Sequence, residues 1–376
     1  MLLSVVGAPG YSPQMRRAML MGPWEIVVQS QADRAPIRFP VEVADVDKTT
    51  DLDKVLPLPG SVVKIRLTRY LPDLQWIVSG VEDPSGGIIA LINAKGPGLD
   101  QDMWLDAADV KKRAIISRVG GIKLLQVYEP KKLEQTVKQL TEGKSVGIVS
   151  VWPKKTKKTL QFVVKKGQSV SIPESGYVLK VLDYMPHYSI DTATRKVTNA
   201  SKKPINPAIR LRFSEGKSSV EQWLWSKFPS SPHSKGKLPF RAEFTEFDLG
   251  QGVGRYVLAG AANSEPWIMF LKDGKVVAEK AETAKGYPLS DSKYVVAVKE
   301  YYGSGIIKQE WKNGDESLAH PAIVATVQKG QKKKELVLEL NKPSHYDSED
   351  GDTMTFLFGR KSDPGMKGRG MGGHVK

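Results

Sequence analysis

The residues of this chain best suited to bind a metal or to move protons at neutral pH are its five histidines. They are His187, His233, His320, His345 and His374. A zinc or haem site needs ligands that converge, either one turn apart on a helix or across two neighbouring strands. None of the spacings here fits, although His187 and His233 flank one unit of strands and could meet in space. The sequence therefore predicts no metal ligands.

The sequence also gives little support for covalent catalysis or for phosphate binding. Cysteine is absent, which excludes thiol catalysis, disulfides, iron–sulfur clusters and covalently attached c-type haem. Neither Gly-x-x-x-x-Gly-Lys-Ser/Thr nor Gly-x-Ser-x-Gly occurs, and the glycines of 250–254 do not open a helix. The acidic stretch 347–352 lacks the spacing of a calcium loop. No catalytic residue is predicted, and the sequence leans towards a non-enzymatic function.

Lysine clusters are the remaining features that could bind a partner. Lys and Arg number 56 against 41 acidic residues, so the net charge is +15. We predict that two clusters contact anionic lipid or an acidic protein. Their residues are Lys154, Lys155, Lys157, Lys158, Lys332, Lys333 and Lys334. The alternative is that they are solvated hairpin tips. Nucleic acid is disfavoured as a partner, because lysine outnumbers arginine in the clusters and aromatic residues are not interleaved with them.

The elements that would carry these residues are mostly strands. With 376 residues the chain is long enough for two or three domains, and no apolar run approaches the length of a membrane span. Asp273-Gly274 is a hairpin signal, and helices are predicted only over 129–142 and, shorter, over 101–113. Period-two alternation marks the strands 62–70, 177–182, 208–213 and 294–299. The predicted fold is mainly β, with repeated sandwich or meander units and one or two short helices.

The chain also repeats itself. Tyr177 to Tyr184 resembles Tyr294 to Tyr301, and Asn206-Pro207-Ala208-Ile209 resembles His320-Pro321-Ala322-Ile323. A weaker copy pairs Val63–Tyr70 with a later strand at 88–92. Strand alternation predicts that Tyr184 lies on the opposite face from Tyr177. His320 takes the position of Asn206, so we predict a hydrogen-bonding role for it in a turn.

These units suggest a division of the chain into contiguous parts. The predicted parts are an N-terminal extension (1–35), a divergent β unit (36–143) that includes the helix 129–142, a second β unit (144–236), a third β unit (237–360) and a disordered basic tail (361–376).

The second unit resembles a known family. Its segments are Tyr184-Met-Pro-His-Tyr-Ser-Ile-Asp191, Arg195-Lys-Val-Thr-Asn199, Ile205-Asn-Pro-Ala-Ile209 and Gln222-Trp-Leu-Trp-Ser-Lys-Phe-Pro229, followed by His233. They are similar to the large extracytoplasmic domain of ResB-like proteins, the cytochrome c biogenesis components of System II. The resemblance covers about 145–358 and, more faintly, 36–110.

The resemblance implies a periplasmic, membrane-associated protein that acts beside a haem-handling membrane partner of the ResC type. Any haem would come through that partner. ResB-like proteins have transmembrane helices and this sequence has none, so no haem ligand is carried over. The motif segments predict a partner-binding surface made of Tyr184, His187, Tyr188, Trp223, Trp225 and His233. A scaffold subunit of a larger assembly and a basic nucleic-acid-binding protein are the alternatives, and no clear signal peptide is recognised.

Overall fold

The fold is described by a computed structural model. It describes residues 20–30, 35–153, 158–191, 194–229, 238, 240–250, 254–289, 293–316, 318–347 and 353–361. Regular structure in these residues is almost entirely antiparallel strand, which confirms the mainly β prediction. The chain divides into two compact units, of which the first joins Met1–Val78 to Gln309–Lys376 and the second is Ser79–Lys308. This differs from the contiguous parts predicted above, because the first unit takes strands from both ends of the sequence.

The first unit is a sandwich of two four-stranded sheets, β2-β1-β26-β25 and β24-β23-β4-β3. Its strands, numbered along the chain, are β1 (Trp24–Ser30), β2 (Ile37–Val41), β3 (Thr50–Leu56), β4 (Val63–Leu71), β23 (Ala322–Lys329), β24 (Lys332–Glu339), β25 (Pro343–Asp347) and β26 (Thr353–Arg360). Strand β4 shows why they form, since its apolar residues face inwards and its basic residues face outwards. Trp24 stacks on Tyr70 across the core at 5.3 Å between ring centroids. Strand β1, within the predicted N-terminal extension, is thus a core strand.

The second unit contains two further sandwiches. The middle sandwich consists of β5 (Leu74–Gly96), β6 (Leu99–Asp106), β7 (Ala114–Ile116), β8 (Gly120–Gln126), β18 (Gly254–Gly260), β19 (Trp267–Lys272), β20 (Lys275–Lys280), β21 (Gly286–Pro288) and β22 (Val295–Asn313). Its sheets are β20-β19-β18-β8-β7 and β21-β22-β5-β6. Both contribute to one core, with Ile88 and Ile92 from one sheet and Ile122 and Leu258 from the other.

The inner sandwich is inserted between β8 and β18, which lie side by side and parallel. Its strands are β9 (Gly147–Trp152), β10 (Leu160–Val164), β11 (Ser169–Ser171), β12 (Val178–Met185), β13 (Tyr188–Ile190), β14 (Val197–Asn199), β15 (Ala208–Glu215), β16 (Ser218–Trp225) and β17 (Arg241–Glu246). The sheets β10-β9-β17 and β11-β12-β15-β16 enclose its core, and β13 and β14 form a separate hairpin. The chain is therefore nested, with a complete domain inside a loop of another.

Helix predictions had mixed outcomes. The helix predicted over 129–142 is confirmed as a 3-10 turn, Pro130–Lys132, followed by α1, Leu133–Thr141. The helix predicted over 101–113 is wrong, because 99–106 form β6, which pairs with β5. Among the described residues no helix is both long enough and apolar enough to cross a bilayer.

The predicted repeat units are wrong as units, because their strands lie in different sheets. Strand β23, which directly follows Pro321, pairs with β4, whereas 294–301 belong mostly to β22, which pairs with β5 and β21. The weaker copy is divided in the same way, since β4 and the segment 88–92 of β5 lie in different sheets. The equivalent groups are β4-β23-β24 and β12-β15-β16, and each has a bulge in its first pair. The bulge between Val181 and Asp183 reverses the alternation of β12. Tyr184 consequently packs on the same core as Tyr177, and its predicted position on the opposite face is wrong.

Candidate functional site

Three strands of the inner sandwich carry the segments on which the predicted resemblance to ResB-like proteins rests. Strand β12 ends with Tyr184 and Met185, β15 begins at Ala208 directly after Asn206-Pro207, and β16 ends at Trp225. In the antiparallel register Ala208 lies opposite both Met185 and Trp225. The segments therefore converge at one end of one sheet, although they are separated by up to 40 residues in the sequence (185 to 225).

Between β12 and β15 the chain forms the β13–β14 hairpin, and backbone hydrogen bonds fix its position. The Tyr188 N–H donates to the carbonyl oxygen of Asn206 at 2.9 Å, and the Asn206 side-chain amide donates to the Tyr188 carbonyl at 3.0 Å. Pro207 has no N–H, but its carbonyl oxygen accepts a hydrogen bond from the backbone N–H of Ser226 at 3.0 Å. The asparagine and proline of the motif thus tie the hairpin to the end of β16.

Tyr188 closes the hairpin onto two tryptophans. Its ring meets Trp223 edge-on at 5.0 Å and Trp225 at 5.3 Å between centroids. Such T-shaped pairs contribute about 0.5–1.5 kcal/mol each beyond the buried area. Trp225 is buried, whereas Tyr188 and Trp223 keep part of their surface in solvent. We call these three rings the aromatic clasp.

Exposed apolar residues extend the clasp outwards. Ile190 and Val197 are cross-strand partners in the hairpin, and 50% and 38% of their surfaces are exposed. Ile190 follows Tyr188 by two residues, so both lie on one face of the hairpin. We define the clasp surface as the aromatic clasp together with Ile190 and Val197. Lone exposed apolar side chains are common, but a cross-strand pair beside half-buried aromatic rings forms a continuous patch.

Positive charge predominates in the segment that forms the hairpin of the clasp surface. Between Tyr188 and Asn206 the sequence has four exposed cations, Arg195, Lys196, Lys202 and Lys203, and one carboxylate, Asp191. The first two lie in the hairpin turn, where the Arg195 N–H donates to the Asp191 carbonyl. We call the four cations the basic rim. The chain that carries the clasp surface is thus basic next to its apolar residues.

The predicted partner-binding residues do not all belong to this surface. Tyr188, Trp223 and Trp225 form it, and His187 lies beside it, with its Nδ1 3.1 Å from the Ser201 hydroxyl. Tyr184 points instead into the core and packs edge-on against Phe244. Burial raises the pKa of Tyr184, and the nearby Glu246 raises it further. His233 lies outside the described residues.

The lysine clusters are only partly within the described residues. Lys332, Lys333 and Lys334 are exposed on β24, an edge strand of the first unit, and the Lys334 ammonium lies 5.7 Å from the Tyr346 ring centroid. Charged side chains on an edge strand also discourage pairing with another chain. Of the other cluster only Lys158 is described, and it is exposed. Lys154, Lys155 and Lys157 lie outside the described residues.

A buried ion pair in the second unit was not predicted. Lys123 on β8 donates to the carbonyl oxygen of Glu246 on β17 at 2.6 Å, and its Nζ lies 3.5 Å from Oε2 of the same residue. Burial lowers the pKa of Lys123 and raises the pKa of Glu246, and the charge of each partner opposes the shift of the other. The signal in the sequence is a lysine in the middle of the apolar strand Gly120–Gln126. The pair joins the middle and inner sandwiches.

An open cleft of about 1300 Å³ lies in the second unit. Its walls include four carboxylates, of which Glu265 pairs with Lys280 at 2.8 Å and Glu282 with Lys285 at 3.1 Å. Burial raises the pKa of Tyr301 in its wall to about 12, so that hydroxyl is no base at neutral pH. Nor do the described residues contain a group of three or more His, Cys, Asp or Glu side chains that could hold a metal ion. These features give no catalytic arrangement in the described part of the chain.

Comparisons with known proteins give no further assignment. No protein-family model, curated protein or solved structure matches the chain. The arguments for function therefore rest on the residues themselves.

Proposed function

We propose that this protein is a non-enzymatic, ResB-like β protein that assists cytochrome c maturation at the outer face of the cytoplasmic membrane. It would be held against a membrane protein complex, with a ResC-type protein as the partner, through the clasp surface. The observation that carries the proposal is that the resemblance segments converge on the aromatic clasp. Motifs that served only the core would be expected to point inwards, as Tyr184 does.

The chemistry of the clasp surface indicates the chemistry of its partner. Aromatic residues at the centre of a patch are the usual energetic anchors of an interface, and charged residues at its edge guide association. The basic rim favours a partner surface with an apolar centre and acidic surroundings. The exposed lysines of β24 would add attraction to anionic lipid headgroups. Haem would arrive with the membrane partner.

A substitution at the clasp surface tests this function. We expect Ile190→Glu to weaken binding to a ResC-type protein in lipid nanodiscs by about 10-fold or more, because it places a charge in the apolar centre. Val178→Glu is the matched control, since Val178 is an exposed apolar residue, 40% accessible, on the same sandwich. Affinity would be measured by biolayer interferometry, with thermal unfolding to verify folding. Equal losses in both variants, or no binding by the unmodified chain, would contradict the proposal.

Charge reversal of the basic rim gives a second measurement on the same surface. We expect Lys202→Glu combined with Lys203→Glu to slow association and to reduce the salt dependence of binding, because exposed charges act mainly on the encounter rate. A salt-sensitive gel shift with duplex DNA or with RNA would instead support the nucleic-acid alternative. Self-association without binding to the membrane protein would support a scaffold subunit.

A further inference from the structure

The outer face of the sheet β11-β12-β15-β16 carries a row of cations. The other face of this sheet packs on the core with Leu211 and Phe213, so strand alternation places Arg210 and Arg212 outwards. Lys180 on β12 is exposed and lies opposite Arg212 in the register. The side chains of Arg210 and Arg212 are 46% and 43% exposed. We call Lys180, Arg210 and Arg212 the basic strip.

A single carboxylate holds both guanidinium groups of the basic strip. Arg212 donates to Oε1 of Glu221 through Nε at 3.0 Å and through Nη2 at 2.6 Å, and Arg210 donates through Nη2 to Oε2. The hydrogen bonds from Arg212, followed by that from Arg210, hold the pKa of the Glu221 carboxyl below its usual value. Within the described residues, Nη1 of neither arginine has a hydrogen-bond partner. The three side chains therefore keep a net positive charge and present N–H donors that are already oriented.

The corresponding strands of the first unit do not keep this surplus of charge. Arg66 and Arg69 point outwards from β4, but each has a carboxylate of its own. Arg66 lies 2.7 Å from Asp53, and Arg69 lies 3.1 Å from Asp51. The charges of these two arginines are thus neutralised one for one, whereas Arg210 and Arg212 share one carboxylate.

The remaining charges near the basic strip do not cancel its surplus. Asp183 is the cross-strand neighbour of Arg210, but it is paired with Lys166 at 2.7 Å. Lys180 lies opposite Ser169 on its other side, and no ion pair joins it to a described carboxylate. With Lys166 included, the cations of this face therefore exceed its carboxylates four to two.

The basic strip ends at the clasp surface. Arg210 is the cross-strand neighbour of Trp223, whose ring contacts Tyr188 at 5.0 Å between centroids. The most exposed residues of the clasp surface, Ile190 and Val197, are aliphatic. A nucleic acid would need open aromatic rings on which its bases could stack, but the rings here pack against one another. Aliphatic side chains beside cations fit the headgroup region of a bilayer better.

We propose that the basic strip binds the phosphate groups of anionic phospholipids, so that the outer face of this sheet lies on a membrane surface. Guanidinium groups bind phosphate oxygens through paired N–H donors, and the negative potential of an anionic membrane attracts exposed cations. No covalent bond forms or breaks. The inference adds a lipid contact to the proposed docking on a membrane protein, but it can be tested on vesicles that contain no protein.

Two double variants that remove equal charge test the basic strip. One is Arg210→Gln with Arg212→Gln, and the matched control is Arg66→Gln with Arg69→Gln, where each arginine is already neutralised. Binding of the full chain to vesicles of equal parts phosphatidylglycerol and phosphatidylcholine would be measured by co-sedimentation. We expect the first variant to lose at least about 10-fold in affinity and the control less than about threefold, because only the first removes cations from the lipid contact.

A single label reports where the vesicle touches the protein. The chain has no cysteine, so one introduced cysteine takes a polarity-sensitive dye at one position only. Ser219 is exposed and precedes Glu221 by two residues on β16, so both lie on the same face. Gln135 is exposed on α1 and serves as the control position. We expect vesicles to shift the emission of the dye on Ser219→Cys to shorter wavelength and to leave that on Gln135→Cys unchanged.

Three results would overturn the inference. They are failure of the unmodified chain to bind the vesicles, equal losses in the two double variants, and no response of the dye at position 219. Binding to a single-stranded oligonucleotide without binding to vesicles would also overturn it, in favour of a nucleic-acid partner. If vesicle binding persists but the ResC-type protein is not bound, only the proposed function is contradicted.

Discussion

Replacing Lys123 by methionine is expected to destabilise the second unit by about 3–5 kcal/mol near pH 7, because it leaves the Glu246 carboxylate buried without its cation. The loss should appear as a lower midpoint in urea unfolding. Lys132→Met is the matched control, since Lys132 pairs with Glu129 at 2.8 Å but both side chains are at least 40% exposed. An exposed pair of this kind contributes no more than about 1 kcal/mol.

The pH dependence of this loss has a definite sign. Burial raises the pKa of Glu246, so the folded state keeps its proton to higher pH than the unfolded chain does. Stability is therefore lost as pH rises above the unfolded value of about 4.3 towards the folded value. Without Lys123 the folded pKa rises further, so we expect the variant to lose more stability at pH 8 than at pH 5. A larger loss at pH 5 would contradict this account.

The double variant Lys123→Met with Glu246→Gln separates the charge from the packing. Removing both charges is often neutral or even stabilising, whereas removing one leaves the other without compensation. We expect the double variant to recover most of the stability that Lys123→Met loses. A loss equal to the sum of the two single losses would show that the two side chains do not interact.

Excision of the inner sandwich should yield an independently folded domain, whereas excision of the predicted first β unit should not. Residues 144–247 contain every strand that encloses the core around Val149, Leu179 and Phe213. Residues 36–143 contain β4 and β8 but lack their neighbours β23 and β18. We expect dispersed amide NMR signals and cooperative thermal unfolding for the first fragment and a disordered spectrum for the second.

Two results would contradict the nested arrangement. One is cooperative unfolding of 36–143, which would mean that its strands find partners within the fragment. The other is a disordered spectrum for 144–247 even when Phe247, which packs on the apolar residues around α1, is replaced by serine to remove its exposed ring. That substitution guards against aggregation of the cut surface.

The sequence predicted local structure well because strand alternation and turn chemistry are local. Strand β4, with basic residues outwards and apolar residues inwards, could be read directly. So could the hairpin at Asp273-Gly274, where both residues have positive φ. The helix prediction for 101–113 is wrong because β6 is largely exposed and its sequence does not alternate apolar with polar residues.

Long-range pairing could not be predicted from the repeat alone. The alternation of apolar and polar residues in β23 would fit pairing with a strand such as β12 or β22 equally well. Strand β4 becomes its neighbour because the first unit takes strands from both ends of the sequence. The bulge in β12 could not be predicted either, because skipping one residue in the pairing register does not change the amino-acid composition of the strand. It determines whether Tyr184 faces the core or the surface. Of the residues predicted to share one surface, Tyr188, Trp223 and Trp225 contact one another, whereas Tyr184 packs in the core.

The buried groups were missed for a different reason. Lys123 and Glu246 are distant in sequence, and neither belongs to a motif. Likewise His320 was predicted to have a hydrogen-bonding role in a turn, but its partner Asp73 lies at the other end of the first unit's sequence. Pairings of this kind depend on the register between strands, which the sequence of either segment alone does not contain.

The pairing of β1 with β26 constrains the order of events on the ribosome. Strand β1 emerges early, yet its partner Thr353–Arg360 is translated only after everything between Ser30 and Thr353. At 5–20 residues per second that interval is roughly 15–65 s. The inner sandwich can close during synthesis, then the middle one, and the first unit last. Throughout that time the apolar segment Trp24–Val28 can pair with β2 but lacks β26 on its other edge, and that open edge is a natural target for a holding chaperone or a translocation factor.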